Sequence, residues 1–94
     1  MTGTNLGDSI RVYALTLTPA ALAAALGATE QTFIVPGLLP GDVVAVSPPG
    51  AGTNCGLIGA RVSAKDTLAL LWGNLTAVAN VPPGGVYVIF AIRP

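Results

Sequence analysis

Residues 57–72 read LIGARVSAKDTLALLW, and the way this stretch folds back on itself decides the architecture. Alternate residues of a strand point to opposite faces. Leu68, Leu70 and Trp72 therefore share one face, and Thr67, Ala69 and Leu71 share the other. A two-residue loop at Ala64-Lys65 would set Arg61 against Leu68 and put a cation on the face of Leu70 and Trp72. A three-residue loop, residues 64–66, instead pairs Val62 with Leu68, Ala60 with Leu70, and Ile58 with Trp72. Register follows the buried face, which selects the second pairing. Such loops end in a left-handed residue, a conformation that Asp66 tolerates better than most. The opposite face then holds Gly59, Arg61, Ala69 and Leu71.

Neither face of the second arm seeks water, and the same holds for the last apolar run, VYVIFAI at 86–92. There Val86, Val88, Phe90 and Ile92 face one way, and Tyr87, Ile89 and Ala91 the other. An antiparallel strand that is apolar on both faces is covered on both. A small single domain has one core, so the expectation is that a second chain supplies the other cover.

Further apolar runs are expected as strands at 9–17, 31–35, 42–47, 57–63 and, weakly, 76–81. Twelve Gly and eight Pro cluster in the gaps between runs, as an all-β sandwich or barrel requires. After Pro19 the segment PAALAAAL favours a helical turn or two, with a long loop as the alternative. The chain of 94 residues suits one domain over 1–94, with residues 1–9 as an extended N-terminal arm.

Hydrophobic residues make up 52% of the chain and charged residues 9%, against about 25% charged in an ordinary domain. Four cations (Arg11, Arg61, Lys65, Arg93) balance four acids (Asp8, Glu30, Asp42, Asp66). So little charge favours association over a free monomer. Four scattered cations also argue against nucleic acid as a partner. The uncharged run at 12–29 approaches membrane-spanning length. Thr16, Thr18 and Pro19 interrupt it, however, and no cationic start precedes it, so neither a span nor an export signal is expected.

With no His in the chain, triads, most metal sites and the commonest general base are missing. Turn chemistry accounts for Asp42 and Asp66 better than catalysis does, and no phosphate loop is present. The expectation is a protein that is not an enzyme, with no cofactor, metal or small-molecule substrate. Cys55 stands alone and reads as a small semi-buried residue. Asn74-Leu75-Thr76 is a glycosylation sequon, weak without an export signal. Trp72 and Tyr87 offer rings that could stack on a sugar, although Trp72 fits a core better. Arg11, Arg61 and Arg93 are read as ion-pair or hydrogen-bonding groups at an interface, where Arg is enriched. Leu71, Tyr87 and Ile89 complete the candidate subunit or capsid interface.

The stretches TFIVPGLLPGDVVAVSPP, GLIGARVSAKDTLALLWGNLTAVANVPP and YVIFAIRP resemble decoration, or cement, proteins of tailed bacteriophage capsids. The resemblance covers about residues 32–94. It implies an antiparallel β-sandwich of seven or eight strands, jelly-roll-like, forming a homotrimer on the major capsid protein at the outer surface of the virion. Synthesis would be in the bacterial host cytoplasm. The family carries no catalytic residues. The alternative is a glycan- or cell-surface-binding module of a phage head or tail fibre. A third reading, a small secreted bacterial β-sandwich, would need the export signal that is not seen.

Overall fold

A computed structural model describes residues 10–22, 27–50 and 54–94. The expected arm at residues 1–9 lies outside them. Six strands follow in order: β1 (Ile10–Leu17), β2 (Gly27–Ile34), β3 (Val43–Ser47), β4 (Cys55–Ala64), β5 (Thr67–Asn74) and β6 (Gly85–Ile92). They form two antiparallel three-stranded sheets, β1-β6-β3 and β2-β5-β4. The pairing is nested, β1 with β6 and β2 with β5, as in a long hairpin rolled up on itself.

The hairpin register follows from the buried face. Val62 faces Leu68 and Ala60 faces Leu70, with Gly59 opposite Leu71 and Arg61 opposite Ala69. Two details differ from the expectation. Ala64 also pairs with Thr67, so the tip is Lys65-Asp66 and Ser63 is skipped in a bulge. A second bulge at Ile58 sets Leu57, not Ile58, opposite Trp72. Bulges add one residue to one strand and restore the register beyond it. Asp66 closes the turn at φ 59°.

The two sheets enclose one core. Leu68, Leu70 and Trp72 meet Tyr87, Ile89 and Ala91, with Val35, Leu38 and Val62 sealing the same cluster. The Trp72 and Tyr87 rings stand edge to face, 6.3 Å apart at 89°, the geometry that aromatic quadrupoles prefer. The Tyr87 hydroxyl donates to the Pro83 carbonyl, and burial pushes its pKa upward.

The described residues form six strands where seven or eight were expected for the chain. The weak run at 76–81 is not a strand, because its own polar side chains occupy its backbone. Asn74 Nδ2 and Asn80 Nδ2 both donate to the Val78 carbonyl, at 2.9 and 3.0 Å. Thr76 N–H donates to Asn74 Oδ1 at 3.0 Å. Such local bonds compete with a sheet ladder. Before β2, Leu22 makes only an isolated bridge to Asn80, and residues 23–26 of the segment after Pro19 lie outside the described residues. Gln31 holds the start of that segment at both ends of its amide. Ala20 N–H donates to Gln31 Oε1, and Gln31 Nε2 donates back to the Ala20 carbonyl, both at 2.9 Å.

Candidate interaction surface

The outward faces of the two sheets differ sharply, and the difference arises from strand parity. On β2-β5-β4 the register sets Glu30 beside Leu71 and Arg61 beside Ala69. The two charged side chains therefore flank the central strand from opposite sides. They meet above it: Arg61 Nε and Nη2 donate to the two carboxylate oxygens of Glu30 at 2.9 and 2.8 Å. Hydrogen bonding from Arg61 lowers the Glu30 pKa, and the pair raises that of Arg61. Farther along, the Ile58 side chain lies so close to Gly73 that a Cβ built there would sit 2.9 Å from Ile58 Cδ1. Ala69 and Gly73 are buried and Leu71 is half-buried. On this sheet the second face of β5 is covered from within the chain.

Among the described residues, nothing covers the outer face of β1-β6-β3 in this way. Across it run the rows Ile10–Ile92–Val43, Val12–Phe90–Ala45, Ala14–Val88–Ser47 and Thr16–Val86. Thr16 and Ser47 are the only polar residues in these rows, and no residue in them is charged. Val12 is 63% exposed, and Ile10, Val43, Val86, Val88 and Phe90 are exposed with it. Single apolar residues on a surface are ordinary, but a contiguous uncharged sheet face marks a contact surface.

The residues expected at an interface divide into three groups. Tyr87 and Ile89 are 0% exposed and belong to the core. They lie on the inward face of β6, so its open face is Val86, Val88 and Phe90. Leu71 and Arg61 belong to the covered face of the other sheet. Arg11 and Arg93 converge at one end of the sandwich on the Gly37 carbonyl, donating from Nη1 at 3.5 Å and Nη2 at 2.9 Å. Arg93 also holds Asp42 with two bonds of 2.9 Å. That contact, with the Leu39 N–H as a further donor, lowers the Asp42 pKa to about 2. These cations fasten the chain end to the loop after β2.

Rings that could stack on a sugar are likewise inside, Trp72 at 1% exposure with Tyr87 against it. The sequon Asn74 is buried, and its amide is occupied by the Val78 carbonyl. Cys55 is buried as a free thiol at the start of β4. Among the described residues, no three His, Cys, Asp or Glu side chains group as metal ligands, and no helix is long and apolar enough to cross a membrane.

The outer face of β1-β6-β3 escaped the sequence reading, although its signal was present. Charge is missing from every alternate position of 10–16 as well as 86–92, and pairing the two would have found it. The class defined by these observations is an all-β, sandwich-like protein with one uncharged open sheet face. Comparison with known proteins found no matching family model, curated protein or solved structure.

Proposed function

We propose that the protein is a structural, non-catalytic virion component that binds the outer surface of a phage head as a trimer and cements adjacent capsid subunits. The single observation that carries this reading is the uncharged outer face of β1-β6-β3, a surface suited to permanent contact and poorly suited to water. The choice of the phage head rests on the resemblance of residues 32–94 to capsid decoration proteins. The nested strand order fits an abridged jelly roll, in which one strand pair of the eight-stranded form is missing. Burial of apolar area, at about 25 cal/mol per Å², would supply most of the attachment energy. Attachment would then depend weakly on salt, because few ions take part.

The test is the protein content of purified particles from cells in which the chain is made during phage growth. The reading expects the chain in hundreds of copies on intact heads, retained through a high-salt wash. Its absence from such particles would overturn the reading.

A further inference from the structure

We draw no further inference here: the strongest candidate, the apolar cleft between the edge strands β3 and β4 lined by Val44, Val46, Leu57 and Ala60, carries nothing, because no described residue shows what covers it and no polar side chain in its lining selects an occupant.

Discussion

Arg61 and Glu30 sit on the two strands that flank β5, two residues out of step along it, and join across it through two hydrogen bonds of 2.9 and 2.8 Å. The pair roofs the step between Ala69 and Leu71. A strand that looks apolar on both faces in sequence can therefore be satisfied by one long charged pair whose aliphatic stems cover it. On β6, equally apolar on both faces, no described residue forms such a roof, and the two sheets acquire different fates.

Asp42 makes folding sensitive to acid. Its folded pKa of about 2 lies below the ordinary 3.8, so the carboxylate form is stabilised by folding. That contribution is complete above the unfolded pKa and is lost as pH falls from about 5 through 2. It should amount to about 1–2 kcal/mol, less than the full shift, because Arg93 keeps 30% of its side chain in solvent and the pair is screened. Asp42→Asn should lower stability at neutral pH and flatten the acid limb of a urea-melt series. An unchanged acid limb would contradict the role given to Asp42.

Asp66 combines backbone geometry with a side-chain bond. Its carboxylate accepts the Gly37 N–H at 2.8 Å, while its own N–H donates to the Leu38 carbonyl at 2.8 Å. From the positive φ alone, Asp66→Gly would be neutral or slightly stabilising. The carboxylate bond reverses that expectation. Asp66→Asn should be the mildest change, Asp66→Gly should lose about 0.5–1.5 kcal/mol for the missing acceptor, and Asp66→Val should lose more because a β-branched residue resists positive φ. Thermal melts of the three variants give the order.

Gly37 adopts φ 104°, and a Cβ built on it would lie 2.7 Å from the Tyr13 hydroxyl oxygen. Gly37→Ala should destabilise by about 1–3 kcal/mol through backbone strain and this contact. Tyr13→Phe removes the offending oxygen, so the double variant should recover part of the loss and no more. Full recovery would mean that the backbone is not strained there.

Neighbouring residues of β6 should respond in opposite ways. Ile89 is fully buried and Val88 is exposed. Ile89→Lys should lose on the order of 4 kcal/mol or prevent folding, while Val88→Lys should stay within about 1 kcal/mol of the wild type in dilute protein. Chemical denaturation of both variants checks the parity directly. Equal losses would contradict that parity, and a larger loss at Val88 would place the strand the other way round.

This parity marks the boundary of what was legible in the sequence. The hairpin register could be read because Arg61 would have been buried in the wrong one. No such residue exists in 86–92, so alternation separates its two faces without saying which turns inward, and the interface expected at Tyr87 and Ile89 falls on the buried face. The bulge at Ile58 was hidden because Leu57 and Ile58 are both apolar and either could face Trp72. The loop at 76–81 looked like a strand because its composition conceals the bonds of Asn74, Thr76 and Asn80. The start of β2, Gly-Ala-Thr-Glu, has weak strand character alone and is ordered by pairing with residues 71–74. The meeting of Arg11, Arg93, Gly37 and Asp42 depends on contacts distant in sequence.

A reconstruction of intact phage heads carrying the chain, resolved well enough to trace strands, tests the central claim most directly. The account predicts copies grouped in threes on the outer capsid surface, with Val12, Val88 and Phe90 buried in contacts and the Arg61–Glu30 pairs left facing solvent. Heads without the chain, or single copies with Val12, Val88 and Phe90 open to solvent, would contradict it.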